Sequence, residues 1–239
     1  VDPETGAPRL ACTAGKQVCV FDPVAGGEAL LLIDVGSEVW ALAFFADPAT
    51  GALRLACGCH REVRIYDPVA KGEALVVLKM DDEVDALAAF KDPATGAPRL
   101  ACASEKKVLV FDPLVGGDAL LVLDIGSYVN ALAVFKEPAT GAPRLACGSD
   151  DGKVRIFDPV AGGEALLVIE VGDYVNALVA FEDLTTGTLR LASGRADAGK
   201  VRVFDPVAGG EALVVLEGHA EWVRALTAFT DPATGDSRL

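Results

Sequence analysis

A fivefold internal repeat constrains this chain more than any other feature of its sequence. The stretch GAPRLACGSDDGKVRIFDPV at residues 141–160 recurs in altered form, with copies starting at Gly6, Gly51, Gly96 and Gly187. The first four copies start 45 residues apart, and the last follows after 46 residues. A period in this range is typical of folds that stack one supersecondary unit on the next. We therefore predict a single domain over residues 1–239, with repeat units at 1–45, 46–90, 91–135, 136–181 and 182–229, and with residues 230–239 duplicating residues 1–10.

Composition and charge argue against several classes of protein. Hydrophobic residues make up 51% of the chain and the mean hydropathy is +0.37, but acidic residues interrupt every apolar run. These runs are well short of the roughly 20 residues that a membrane helix needs. No charged leader precedes an apolar core, so we expect no signal peptide. The net charge of −14 opposes nucleic acids and anionic lipid surfaces, which leaves basic proteins or peptides as the favoured partners.

The six cysteines do not predict a disulfide framework. One repeat position is shared by four of them, namely Cys12, Cys57, Cys102 and Cys147, and Ser193 occupies it in the last repeat. This pattern indicates a packing position for a small residue. Equivalent positions in successive repeats lie too far apart for the roughly 5.5 Å Cα separation of a disulfide. We expect free thiols and, for a natural protein, a reducing cytoplasmic location.

Each repeat predicts at least three β-strands. RLACG at 54–58 and VRIYD at 63–67 flank a short polar loop, which is typical of a hairpin. The next run, ALVVL at 74–78, is apolar at consecutive positions and predicts a strand buried on both faces, in sheets stacked against their neighbours. The fourth segment, SEVWALAFFADP at 37–48, is ambiguous. Its capping residue, its Ala and Leu content and its final proline favour a helix on propensity alone, whereas a strand would complete a four-stranded sheet.

A family resemblance resolves this ambiguity. Gly218-His219 precedes Val223, Leu226 and Phe229, and elsewhere an Asp151-Gly152 turn precedes Phe157-Asp158. In this order the residues resemble the WD-repeat β-propeller family, and the likeness of spacing covers essentially the whole chain. It implies an all-β propeller of four-stranded antiparallel blades, and the five copies of each segment predict a five-bladed β-propeller, fewer blades than is usual for this family. The C-terminal strand at 222–229 would complete the N-terminal blade and close the ring.

The chain departs from the family pattern in two places. Phe-Asp or Tyr-Asp stands where the family has Trp-Asp, and Gly-His occurs in one repeat alone. The resemblance therefore implies that the family's buried polar network is missing and that apolar stacking holds the blades together. A monomer is favoured, with a domain-swapped or paired ring as the alternative because near-identical units can pack against another chain.

The repeats differ most on one predicted face. The turns DPATGA and PVAGGEA are nearly constant, whereas the hairpin loops vary, and so does the residue after the valine of the inner strand. The candidate ligand-binding residues at this channel mouth are Trp40, Asp85, Asn130, Asn176 and Arg224, with His60 and Arg61 from one loop. The resemblance implies that peptides and protein partners dock here. Trp and Arg are the residue types that dominate binding interfaces, and the surrounding acids favour a basic peptide.

Other functions find little support in the sequence. Asp85 is the one acid among the five inner-strand candidates, whereas glycosidases need two carboxylates. Cys57, Cys59 and His60 lack a fourth zinc ligand, and no triad is evident. We predict no enzyme, no metal and no cofactor. The predicted function is a non-enzymatic scaffold for proteins or peptides. One alternative is an engineered or recently amplified propeller without a specific ligand, and the other is a multivalent carbohydrate-binding lectin.

Overall fold

The computed structural model describes residues 6, 8–70, 72–184, 186–195, 199–231, 234 and 237–239. Regular secondary structure in this part of the chain is all β-strand. The chain forms two compact units, Val1–Val122 and Leu123–Leu239. The predicted single domain and its repeat boundaries stay predictions. Among the described residues no helix is long and apolar enough to span a membrane.

The strands of the first unit form three antiparallel sheets. In chain order they are β1 (Leu10–Ala14), β2 (Gln17–Phe21), β3 (Leu31–Asp34), β4 (Val39–Ala46), β5 (Leu53–Tyr66), β6 (Val76–Glu83), β7 (Ala86–Lys91), β8 (Pro98–Ser104), β9 (Lys107–Phe111) and β10 (Leu121–Asp124). The sheets have the orders β1-β2-β3, β4-β5-β6 and β10-β9-β8-β7. Strands that are consecutive in sequence are thus neighbours in each sheet, as the predicted hairpins require.

Strand β5 is one run of strand residues that turns back on itself. Fully extended, its 14 residues would span about 45 Å. The ion pair between Arg54 Nη1 and Asp67 Oδ2 is nevertheless 3.2 Å long, so the two ends of the run lie side by side. Arg61 has a φ of 63°, which is the left-handed backbone of a tight turn. The predicted hairpin between residues 54–58 and 63–67 is therefore present.

The second unit repeats the same plan. Its strands are β11 (Val129–Lys136), β12 (Pro143–Ser149), β13 (Lys153–Phe157), β14 (Leu167–Glu170), β15 (Val175–Asp183), β16 (Thr188–Arg195), β17 (Val201–Phe204), β18 (Val214–Leu216), β19 (Phe229–Thr230) and β20 (Ser237–Arg238). They form two four-stranded sheets, β11-β12-β13-β14 and β15-β16-β17-β18, and the two-stranded pair β19-β20. The predicted all-β fold of four-stranded antiparallel sheets is confirmed.

The segment with helical propensity is a strand in the first four of its five copies. It forms β4, β7, β11 and β15, the first strands of their sheets. In β11 alternate residues are buried, among them Val129, Ala131 and Phe135. This period of two matches a strand and would scatter the same side chains around a helix. Burial of one face against the neighbouring sheet therefore overrides the local preference of Ala and Leu for helix.

Apolar stacking between consecutive sheets supplies the core. In the first unit, Val18 and Leu31 of the first sheet pack in one cluster with Leu55 and Cys57 of the next. In the second unit, Ile169 of β14 packs in one cluster with residues of β15, β16 and β17. Each cluster joins two successive sheets, as the consecutive apolar runs predicted.

The prediction that the last strand of each sheet is buried on both faces is wrong. In β14, Ile169 is 1% exposed, but the preceding Val168 is 44% exposed. The same alternation leaves Leu32, Val77 and Val122 exposed on β3, β6 and β10. The last strand therefore packs one face against the neighbouring sheet and presents the other to solvent. Consecutive apolar residues here mark a half-exposed strand.

The predicted closing strand is not confirmed. Residues 222–228 form no strand, and β1 pairs with β2 alone in the described part of the chain. The segment nevertheless packs as an inner strand would, because Val223 is buried beside Val201 and Val203. The five-blade count, the closed ring and the choice between a monomer and a swapped ring stay predictions.

The last residue of the predicted closing segment, Phe229, pairs with the C-terminal tail. Strands β19 and β20 pair Phe229 with Arg238, in the register that joins Phe135 to Arg144 in an earlier repeat. Residues 229–230 and 237–238 thus pair as the start of a further repeat unit would. These two segments are close in sequence, so the entropy cost of bringing them together is small.

Candidate functional site

Three of the candidate residues occupy β-bulges. The register of the ladder shifts between Val39 and Ala41 in β4, and at the equivalent points of β11 and β15. The residues left out of the ladders are Trp40, Asn130 and Asn176. A bulge bends its strand and re-aims the extra side chain, and bulges are common next to binding sites. A repeated position that varies in sequence is therefore one that the backbone sets apart in three of the repeats.

Buried glycines lie at the same level as these bulges. Gly148 is paired with Ala131, next to the bulge at Asn130. A Cβ on Gly148 would lie 2.4 Å from Val175 Cγ1, so the glycine admits the valine of the following inner strand. In the third repeat Ala103 occupies this position, and Asp85 lies just before the start of β7, with its N–H donated to Ala103 O at 3.1 Å.

The candidate residues of the first unit are exposed. Trp40 is 42% exposed, and Asp85 is also exposed. His60 and Arg61 lie in the turn of the β5 hairpin, and His60 Nδ1 is 4.0 Å from Glu83 Oε1. These side chains offer an aromatic surface and groups of both charges to a partner.

The cysteines beside His60 face a different environment from the histidine. Cys57 and Cys59 are fully buried, whereas His60 is exposed. Burial raises the pKa of the Cys57 thiol to about 12 and that of Cys59 to about 11. Both thiols are therefore neutral at physiological pH, a form that neither ligates metal nor acts as a nucleophile.

In the second unit, Asn130 is tied to the variable hairpin loop. Its Nδ2 donates to Asp150 Oδ1 at 2.6 Å, and the N–H of Asp150 donates to Tyr128 O at 2.9 Å. The N–H of Asp151 donates to Ser127 Oγ at 3.1 Å. The loop after β12 is thus held against the start of β11, so its acidic residues lie beside the candidate site.

A second polar network holds this loop in place. Arg155 Nη2 lies 2.6 Å from Asp151 Oδ2, and Ser149 Oγ donates to Asp151 Oδ1 at 2.7 Å. Burial opposes the charge of Asp151, but the hydrogen bonds from Arg155 and Ser149 outweigh it and hold the pKa of Asp151 below its ordinary value. This network was not predicted from the sequence, because Arg155 is not a residue of the family's polar pattern.

The sequence analysis missed a set of exposed aromatic residues. Tyr128, Tyr174 and Trp222 precede the inner-strand valine in the three repeats of the second unit, and they are 48%, 51% and 56% exposed. Each is two residues before a candidate residue, and β11 lies beside β15. The available signal was the repeat alignment itself, since aromatic residues recur at this one position.

Trp222 and Arg224 line a groove in the second unit. The Arg224 guanidinium carbon is 5.3 Å from the centroid of the Trp222 ring, a cation–π distance. The groove has a volume of about 630 Å³, and its other lining residues include Leu216, Glu217, His219 and Leu226. It combines apolar walls with an acid, an imidazole and a guanidinium, as a site for a peptide side chain would.

Acidic side chains of the constant turns form ion pairs with arginines of their own repeat. Arg99 bridges Asp92 at 3.2 Å and Asp112 at 3.0 Å, thereby joining two turns of one repeat. Arg144 bridges Glu137 and Asp158 in the same way in the next repeat. The acids of these turns are thus partly neutralised by structural arginines.

Comparison with known proteins agrees with this architecture. Residues 124–158 match the family model of the WD domain, G-beta repeat. No curated protein sequence matches the chain. One similar solved structure is BBS1N in complex with ARL6DN, with a TM-score of 0.69, 14% identity and coverage of 92% of this chain and 67% of that chain. Another is Saccharomyces cerevisiae Sqt1, with a TM-score of 0.71, 17% identity and coverage of 95% and 62%.

This chain therefore spans about two thirds of the length of each of these neighbours. At such low identity the structural likeness concerns the fold alone. The matched repeat at residues 124–158 supplies the link to a family, and both structural neighbours are WD-repeat propellers. The chain thus shares its fold with WD-repeat β-propellers, and one of its repeats matches the WD-domain family model.

Proposed function

We propose that this protein is a non-enzymatic scaffold that binds a protein or peptide at the bulged starts of its inner strands. The observation that carries the proposal is the pairing of two features at one repeat position. A bulge sets apart a side chain that is tryptophan in one repeat and asparagine in two, and in the second unit an exposed tyrosine stands two positions before each bulged asparagine. Variable side chains on a repeated backbone provide specificity, and exposed aromatic residues provide contact area.

The charge of this face favours a basic segment. Glu38, Glu83 and Glu221 are exposed two or three residues before the candidate positions, and Asp150 contacts Asn130. The net charge of −14 adds a long-range attraction for cations. In the second unit Trp222 already accepts the guanidinium of Arg224 on its ring face. Tyr128 and Tyr174 present similar surfaces, on which an arginine of a bound peptide can stack.

The structural neighbour BBS1N, in complex with ARL6DN, is a propeller of this fold class that engages a protein. This supports a protein partner for the present chain and does not identify one. A protein-binding role also agrees with the general use of WD-repeat propellers as interaction scaffolds.

The two tryptophans of the chain, Trp40 in the first unit and Trp222 in the second, each lie at or near a proposed binding position of their own unit, so their fluorescence can report binding directly. The probes are two pools of randomised octapeptides, one with a fixed central arginine and one with a fixed central glutamate. We expect the arginine pool to change the emission and the glutamate pool to leave it unchanged. The arginine signal should weaken as salt is raised, because exposed charges are screened. The variants Trp40→Phe and Trp222→Phe then tell which unit contributes the signal.

A matched substitution on the constant turns separates a site from a general surface effect. Val115 is 81% exposed on such a turn, so Val115→Thr should bind the peptides as the unaltered chain does. Tyr174→Ala should lower the affinity by about tenfold, the effect of losing one aromatic contact of about 1.4 kcal/mol. Equal binding by both peptide pools, or equal affinity of Tyr174→Ala and Val115→Thr, would contradict the proposal. A response to a glycan panel would favour the lectin. The absence of a response to every probe would favour a propeller without a specific ligand.

A further inference from the structure

We propose that Cys12 and Cys19 form a reversible thiol–disulfide site in the first hairpin of the chain. The two cysteines are directly opposite each other in the antiparallel ladder between β1 and β2. The two-residue turn at Gly15 and Lys16 fixes this register, because it pairs Ala14 with Gln17. The sequence analysis compared cysteines between repeats and therefore overlooked this pair within one repeat.

The spacing of a directly opposed pair suits a disulfide. Opposed Cα atoms in an antiparallel ladder are about 4.5 or 5.5 Å apart, depending on the type of pair, and disulfides occur at about 4.4–6.8 Å. The Cβ atoms of such pairs are about 4.5–5.5 Å apart, whereas a relaxed disulfide has about 3.5–4.5 Å. The bond can therefore form with a small local adjustment. Strained and exposed disulfides are easily reduced, which makes this one reversible.

The opposition of two cysteines occurs in the first repeat and not in the others where this ladder is described. At the equivalent place Cys102 is opposite Leu109, Cys147 is opposite Arg155, and Ser193 is opposite Arg202. In the first repeat, therefore, two thiols oppose each other at a position where Cys102, Cys147 and Ser193 are buried packing residues.

The pair is also accessible, unlike its relatives. Cys12 is exposed and Cys19 is partly exposed, whereas Cys102 and Cys147 are fully buried. Burial raises the pKa of both buried thiols far above the ordinary value, so they react slowly. Because β1 has β2 as its one described ladder partner, a reagent can reach Cys12 from the open side of the strand.

The oxidant that we consider is glutathione disulfide. The Cys12 thiolate attacks one of its sulfur atoms, forming a mixed disulfide and releasing one glutathione thiolate. The Cys19 thiolate then attacks the Cys12 sulfur and displaces the second glutathione. Two protein thiols are oxidised, one glutathione disulfide is reduced to two glutathione molecules, and the thiol protons pass to the released thiolates. Excess glutathione reverses both steps.

The test incubates the full chain with glutathione disulfide, quenches with acid, alkylates the remaining thiols in denaturant and digests with trypsin. Cleavage after Arg9, Lys16 and Arg54 separates the two cysteines onto peptides 10–16 and 17–54. We expect these peptides joined by a disulfide, with the other four cysteines alkylated and no retained glutathione. The Cys19→Ser variant should instead keep glutathione on Cys12, because no thiol remains opposite it to displace the adduct.

The Cys102→Ser variant serves as the matched control and should give the same joined peptides as the unaltered chain. Retained glutathione on the unaltered chain overturns the proposal, as does a disulfide that involves a buried cysteine. Failure of the native chain to oxidise under conditions where the denatured chain does so also overturns it. Joined peptides that form equally fast in denaturant would show that the hairpin register plays no part, and would overturn it too.

Discussion

The exposed face of the last strand in each sheet can be tested with two neighbouring substitutions. Ile169 and Val168 are consecutive residues of β14, one 1% exposed and the other 44% exposed. We expect Ile169→Ala to destabilise the second unit strongly and Val168→Ala to have a small effect. Both exchanges replace a β-branched residue by alanine, so the loss of intrinsic strand preference is nearly the same in the two variants.

The expected magnitudes follow from the burial. Ile169→Ala removes three carbon groups from a cluster shared with Val154, Val175 and Leu191. At about 0.8 kcal/mol for each buried group this amounts to about 2.4 kcal/mol, and the cavity left behind raises the loss to about 3–4 kcal/mol. Val168→Ala removes two groups that are about half exposed, so the free energy of unfolding should fall by less than about 1 kcal/mol.

Urea unfolding in a Trp40→Phe background measures the difference, because Trp222 is then the one tryptophan and belongs to the second unit. The midpoint should shift clearly for Ile169→Ala and little for Val168→Ala, with unchanged slopes. Val168→Thr, which keeps the side-chain shape, should resemble the unaltered chain. Equal losses from Ile169→Ala and Val168→Ala would refute the reasoning and restore the expectation of a strand buried on both faces.

Two further predictions concern the backbone and the charges. Gly148→Ala should destabilise by about 1–3 kcal/mol, because the added Cβ would lie 2.4 Å from Val175 Cγ1, whereas Gly72→Ala meets no atom within 4 Å and should be neutral in urea unfolding. Backbone hydrogen bonds from turn residues, with that from Ala94 the largest, hold the pKa of Asp92 below 3.8, although burial opposes them. Its charge therefore stabilises the fold above the unfolded pKa, and this contribution is lost as the pH falls through the lower folded value. Urea midpoints measured between about pH 2 and pH 6 should fall less steeply for Asp92→Asn, and an unchanged slope would show that Asp92 does not carry the effect.

The candidate site was predictable from the repeats in part. Comparing copies identified the variable position at Trp40, Asn130 and Asn176, and the structure places a bulge at each of these three. The comparison did not reveal the bulges, since a bulge depends on how two strands pair. It also missed Tyr174 and Trp222, because an aromatic residue beside a buried valine has the same sequence signature whether it is buried or exposed.

Cys12 and Cys19 show the same limit from another side. Repeat alignment assigned Cys12 to a buried packing position, which Cys102 and Cys147 occupy. Its exposure and its partner depend on the sheet that it joins. The first sheet has three strands and the pairing of β1 with β2 puts the two thiols opposite each other. Neither the exposure of Cys12 nor its position opposite Cys19 can be read from the residue type alone.

The sequence by itself determined the repeat period, the strand order within each unit and the positions of the turns, because these depend on residues close in the chain. Asp-Pro and Gly turns and β-branched runs act locally, so each copy specifies the same hairpins. Tertiary structure decided which face of Val168 and Ile169 is buried, and that residues 39–46 extend as a strand. It also decided that residues 229–230 pair with residues 237–238, whereas residues 222–228 do not form the predicted closing strand. These outcomes depend on contacts between sheets and on competition among near-identical segments, and a sequence of nearly equal repeats carries little information to rank such alternatives.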